Sequence, residues 1–314
     1  MNYLCSKREL ADIIKGSAAT MVLFLMYVLL VFAGPLAGIF APYPVLYYSL
    51  KSGKKVGVAI VVIATVSLMF LNITSALFYL MQCGIFGLLL AEFIGRGMGV
   101  VRSITVTLAI NLLAILALII GYGLSQGVDI NGVIVSGIHT AVAQTEVFYQ
   151  KSGLKGEDLE AIRQALAQAA AFISTVYPAL AVVFLGGIAG LNLLLLKKNA
   201  YRLPRQPFFD DFTKFRNPDQ LIWVLIGAGF LLLINDALVT KTSLNIIFVT
   251  LSLYFIQGLS ITTYFFNRLP VPRFFRILFY IMLAVQPYLM VVVAAFGVFD
   301  LWCDFRTPKK QENL

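Results

Sequence analysis

Nine apolar segments alternate along the chain with short polar or basic breaks. They cover about residues 17–33, 36–50, 56–74, 75–94, 103–123, 171–196, 220–238, 244–265 and 274–299. Apolar runs of about 18 residues or more are long enough to cross a bilayer as helices. The pattern predicts an all-α fold, a polytopic transmembrane helical bundle of about nine spans with a broken second span and an external helical hairpin. Ahead of the first span, residues 6–15 read as a short surface helix. Ser6 and Glu9 have capping-box spacing, Leu10, Ile13 and Ile14 share an apolar face, and Lys7, Arg8 and Lys15 face headgroups.

The second span is broken at the stretch Gly34-Pro-Leu-Ala-Gly-Ile-Phe-Ala-Pro-Tyr-Pro44, which holds three prolines and two glycines in eleven residues. Each proline lacks an N–H and pushes its predecessor out of the α region, so no helix runs smoothly through it. The stretch is nevertheless apolar. It reads either as a tight turn between spans or as a broken helix lining a cavity, because irregular backbone at membrane depth survives only when buried in protein or facing a cavity.

Two excursions interrupt the spans and divide the chain into three parts. Residues 1–123 form an N-terminal membrane half with spans one to five. Residues 124–170 form an extracytoplasmic helical hairpin. Residues 171–314 form a C-terminal membrane half with spans six to nine and a cytoplasmic loop at 197–219. In the hairpin, Ile134, Ile138, Val142, Thr145 and Phe148 recur on one helical face, and Leu159, Ile162 and Leu166 on a second. The acids Glu157, Asp158 and Glu160 suit a helix start, and no breaker follows before Pro178, so hairpin and span six read as one long helix. The 197–219 loop is basic and aromatic, a pattern for anionic headgroups or for a cytoplasmic partner.

Charge sets the orientation. With the N-terminus inside and the sides alternating, the inside segments hold Lys7, Arg8, Lys15, Lys51, Lys54, Lys55, Arg96, Arg102, Lys197, Lys198, Arg202, Arg205, Lys214, Arg216, Arg268, Arg273 and Arg276, which is 17 of the 24 basic residues. The positive-inside rule favours this arrangement. It places the protein in the bacterial cytoplasmic (inner) membrane with the N-terminus cytoplasmic and the C-terminus outside, and Lys309 and Lys310 fit it least well. The first sixteen residues are too polar for a cleaved signal peptide.

Composition narrows the chemistry. Hydrophobic residues make up 60% of the 314 and charged residues 12%, about half the usual quarter. The net charge of +9 sits at span ends, so it is not a nucleic-acid footprint. Cys5, Cys83 and Cys303 are far apart, and the one histidine, His139, lies on the hairpin, so neither metal nor cofactor is implied. Motifs of ATPases, serine hydrolases and zinc proteases are absent, which argues against an enzyme.

Polar residues inside the membrane are costly and are therefore candidates for function. Glu92 has Arg96 one helical turn on, and Gln82, Asn111, Asn192, Gln257 and Gln286 lie deep, where each can bond between helices. Candidate ligand-binding residues are Pro35, Pro42, Tyr43, Pro44, Tyr47, Asn72, Asp236, Gln257 and Gln286. Candidate helix-packing positions, from small residues at four-residue spacing, are Gly34, Gly38, Gly95, Gly99, Gly186 and Gly190, with Ala33 and Ala37 beside them.

Tyr254-Phe-Ile-Gln-Gly-Leu259, the basic stretch ending at Arg276, and Gly297-Val-Phe-Asp-Leu-Trp-Cys-Asp-Phe-Arg306 together resemble the YybS-like family of uncharacterised bacterial polytopic membrane proteins. More distantly, the chain resembles the substrate-binding components of energy-coupling-factor transporters, which capture a vitamin outside and work with separate coupling subunits. That likeness implies a solute-binding or transport component with an outward-facing cavity near residues 34–48. Its partners would be the bilayer, an unidentified small-molecule ligand, and coupling subunits or a second copy of the chain. The competing expectation is a non-transporting membrane scaffold that holds partner proteins.

Overall fold

A computed structural model describes residues 6–30, 34–153 and 155–306. Among the described residues thirteen α-helices run in order as α1 Lys7–Leu29, α2 Gly34–Phe40, α3 Tyr43–Ser52, α4 Lys54–Met69, α5 Ile73–Tyr79, α6 Phe86–Gly95, α7 Val100–Gln126, α8 Ile130–Lys151, α9 Glu157–Asn199, α10 Leu221–Leu231, α11 Ala237–Arg268, α12 Arg273–Val285 and α13 Pro287–Cys303. A π-helical turn, Leu80–Ile85, joins α5 to α6, and no strand occurs among the described residues.

By length and composition, five helical stretches can cross a membrane: Lys7–Leu29, Ile73–Gly95, Val100–Gln126, Glu157–Arg202 and Ala237–Arg268. A sixth arises if α12 and α13 count as one span, although they meet at 109°. The nine spans expected from apolar runs are therefore not reached. At about 1.5 Å per residue, α4 and α10 are too short to cross as straight helices. α10 ends early because Asp236 bonds the Leu238 and Val239 amides and caps α11. The run expected as one span at 274–299 is divided at Gln286-Pro287, where proline starts a new helix.

Two compact units share α9. The first comprises Met1–Val128 and Phe184–Phe209, the second Asp129–Val183 and Asp210–Leu314. In the first unit α1, α3, α4 and α6 pack together. Its core joins Leu46, Phe86, Leu90, Ile188, Leu193 and Leu196, all nearly inaccessible. The surface segment expected at 6–15 is the first part of α1 itself. Ser6 and Glu9 form the capping box, and nothing breaks the helix at Gly16, which packs against Ile60 and Tyr48. Asp12 is buried because Lys51 Nζ (2.7 Å) and Ser52 Oγ (2.5 Å) both reach its carboxylate.

In the second unit α8 and α9 form the expected hairpin, joined by Arg163 to Glu146 at 2.5 Å. No α8 side chain is buried. α9 continues through Pro178. Asn245 of α11 donates to Thr175 O (2.9 Å) and accepts from Ala179 N (2.9 Å), serving the backbone groups on either side of the proline turn.

α11 and α13 run parallel: Tyr254 lies against Gly297, Gln257 reaches Asp300, and Tyr264 Oη donates to Arg306 O. Their backbones touch. A Cβ built on Gly258 would fall 1.9 Å from Val293 O, and one on Gly297 would fall 2.0 Å from Tyr254 O. Glycine is the residue that permits this approach.

Candidate functional site

The proline-rich stretch is a broken helix, with α2 ending at Phe40 and α3 starting at Tyr43. Side chains of neighbouring helices take carbonyls at the break. Asn192 Nδ2 donates to Ile39 O (2.7 Å) and Thr20 Oγ1 to Ala41 O (2.7 Å). Pro42, Pro44, Val45 and Leu46 are buried, and Pro35 is exposed. Tyr43 accepts from Asn199 Nδ2 (2.9 Å) and stacks on Tyr47. A cavity beside Gly38 holds about 10 Å³, room for about one water. The described residues of the stretch are thus largely packed against protein.

The other candidates disperse. Asn72 caps α5 through the Thr74 amide, Asp236 caps α11, and Gln286 sits exposed at the α12–α13 bend. The deep amides bond between helices: Asn111 Nδ2 donates to Met81 O in the π-helical turn, where the normal ladder is interrupted. Gly34 and Gly38 pack on Tyr27, Gly95 lies near Leu50 and Gly186 near Leu108, Gly99 precedes α7, and Gly190 faces open space. Ala33 lies outside the described residues.

Gln257 belongs to a buried polar cluster in the second unit that residue-by-residue reading does not assemble. Asp300 has no exposed surface. It accepts from Gln257 Nε2 (3.0 Å), the Phe305 amide (3.2 Å) and Arg306 Nη2 (2.5 Å). Arg306 also donates to Thr213 O, Phe215 O and Ser260 Oγ. Asn217 joins through its amide to Gln257 Oε1 and its side chain to Leu253 O. The cluster is satisfied within itself, so it is a clamp rather than a ligand site. It fastens the last described residues to the 213–217 loop, at the end of the unit where α11 finishes. The alternating scheme had put that loop and the chain's end on opposite sides. Arg306 nevertheless hydrogen-bonds that loop directly, through Thr213 O and Phe215 O. Lys309 and Lys310 lie outside the described residues.

A cleft with room for a ligand lies at the basic end of the first unit. It has a volume of about 440 Å³, within the few hundred to a thousand Å³ usual for small-molecule sites. The start of α4 contributes Lys54, the end of α6 contributes Glu92 and Arg96, and the segment after α9 contributes Arg205, Gln206 and Phe208. Leu50 and Leu88 form apolar wall. Glu92 is held by both Lys54 Nζ (3.0 Å) and Arg96 Nη2 (2.6 Å), as the Glu92–Arg96 spacing foretold. Arg205 has no carboxylate partner among the described residues. Three cations and one carboxylate therefore line the cleft. Beside the cleft, the hydrogen bond to Asp12 holds the Lys51 ammonium above the usual lysine range, so it stays charged as well.

An all-helical chain with five or six apolar stretches of spanning length, lipid-type side chains on its surface and its cations gathered at helix ends defines a polytopic membrane protein. The chain belongs to the family described as predicted membrane protein (DUF2232), whose family model matches residues 18–301. No curated protein and no solved structure matches it.

Proposed function

We propose that the protein is a membrane-embedded binding component for a small anionic ligand, possessing its site in the basic cleft of the first unit rather than at residues 34–48. The carrying observation is that Arg205, without a carboxylate partner among the described residues, lines the same cleft of about 440 Å³ as Lys54, Arg96 and a single carboxylate. A cleft edge that carries more cations than carboxylates favours anions. The distant resemblance to energy-coupling-factor binding components is what favours a transport role in the bacterial inner membrane; the YybS-like resemblance adds no activity. Without an ATP-binding motif, any ATP-driven transport falls to partner subunits. The reading assigns the chain no bond-making step, cofactor or metal.

The basic ends belong in the cytoplasm on the positive-inside rule. The contact of Arg306 with the 213–217 loop supports a cytoplasmic C-terminus as well.

A scaffold is the second reading. It is favoured by α8, which carries exposed Val133, Val147 and Phe148 and no buried side chain. Deleting 131–156 separates the two readings. Loss of co-purifying proteins with retained anion binding supports both roles in different parts of the chain. Loss of partners from a chain that binds no anion leaves the scaffold alone.

A further inference from the structure

This inference rests on the binding role proposed for the basic cleft and deepens it by naming the ligand's chemistry. We infer that the cleft takes a phosphoryl group attached to an apolar or short organic remainder.

Charge is the first argument. Lys54, Arg96 and Arg205 against Glu92 leave an excess of two positive charges, which suits a phosphate ester better than a carboxylate. Donor geometry is the second. Among the described residues, Arg96 uses Nε and Nη2 on Glu92 and leaves Nη1 without a partner, and Arg205 has a partner at no point of its fork. Planar guanidinium forks match phosphoryl oxygens, and an ammonium adds a point charge. Glu92 draws the Lys54 and Arg96 heads together, so two of the three cations are gathered before a ligand arrives. Their side chains stay 69% and 64% exposed, so the ligand pays little to reach them. The wall is the third argument. Leu88 and the exposed Phe208 adjoin the cations and offer apolar surface to the rest of the molecule. A lipid headgroup and a soluble phosphate ester share this chemistry.

The test uses the full chain in detergent, wild type and Arg96→Gln/Arg205→Gln, both positions being exposed and outside the core. Binding is titrated calorimetrically with phosphatidylglycerol, glycerol phosphate, oleate and phosphatidylcholine, and equal melting of the two proteins establishes that both are folded. The expected result is binding of phosphatidylglycerol at least tenfold weaker in the variant. The same loss with glycerol phosphate assigns a soluble ester as ligand, and its restriction to the lipid assigns a headgroup. Arginine dependence with oleate alone overturns the phosphoryl assignment and leaves an anion-binding cleft. No dependence with any probe overturns both the assignment and the binding role.

Discussion

Replacing Arg306 with Met removes the cation from a carboxylate that has no exposed surface. Asp300 then keeps only Gln257 and the Phe305 amide, and the Thr213 and Phe215 carbonyls lose their shared donor. Removing one partner of a buried pair costs about 3–5 kcal/mol, because the remaining charge stays desolvated. At about 1.4 kcal/mol per tenfold, the unfolded population of the second unit rises by roughly 10²- to 10⁴-fold. Replacing the pair together, as Asp300→Leu/Arg306→Met, removes both charges and recovers most of that loss, since apolar substitutes for buried pairs are often neutral or better. The assay is reversible SDS unfolding of the full chain by tryptophan fluorescence. Both tryptophans, Trp223 and Trp302, belong to the second unit and report on it. An Arg306→Met protein within about 1 kcal/mol of wild type would refute the reasoning, as would a double variant no more stable than the single one.

Other outcomes follow from the same contacts. Gly258→Ala places a methyl group against Val293 O and should destabilise the α11–α13 pair by about 1–3 kcal/mol in the same unfolding assay. Asn245→Ala should cost about 1–2 kcal/mol, and much less in a Pro178→Ala background where α9 closes its own turn; a double-mutant cycle with no coupling contradicts the account. Thr20→Val, which leaves Ala41 O without its donor, should cost about 1 kcal/mol, whereas Tyr47→Ala should leave anion binding unchanged. With Cys5 replaced by Ser, the exposed Cys303 should react with an impermeant maleimide from the same side as a cysteine placed at Thr213; reaction from opposite sides rejects the contact of Arg306 with that loop.

The apolar runs foretold helices well where caps and breakers agree. Asn72 starts α5, the acids at 157–160 start α9, and the helix then runs on through Pro178, as its lack of earlier breakers implied. The same runs do not fix the number of spans, because hydropathy registers apolar length and not direction, and five or six helical stretches meet the length and composition for crossing. Nothing in the composition of 274–299 reveals a 109° bend, although Gln286-Pro287 marks its position. The break at 41–42 was legible from its prolines. That it is sealed was not, because its caps come from Thr20 and Asn192, 21 and 153 residues away from the carbonyls they serve. The cleft needed the same long-range information. Lys54, Arg96 and Arg205 read as ordinary span-end cations until the fold brings three separate segments together. The sequence signal that could have found Arg205 is its place between two prolines in an aromatic stretch, a segment held near the membrane surface with no acid within four residues.

Native mass spectrometry of the full chain, gently extracted from its own cells, tests the central claim most directly. The account predicts a co-purifying phosphoryl compound on the wild-type protein and its loss from Arg96→Gln/Arg205→Gln. A phosphoryl adduct of equal abundance on both proteins, or none on either, would contradict it.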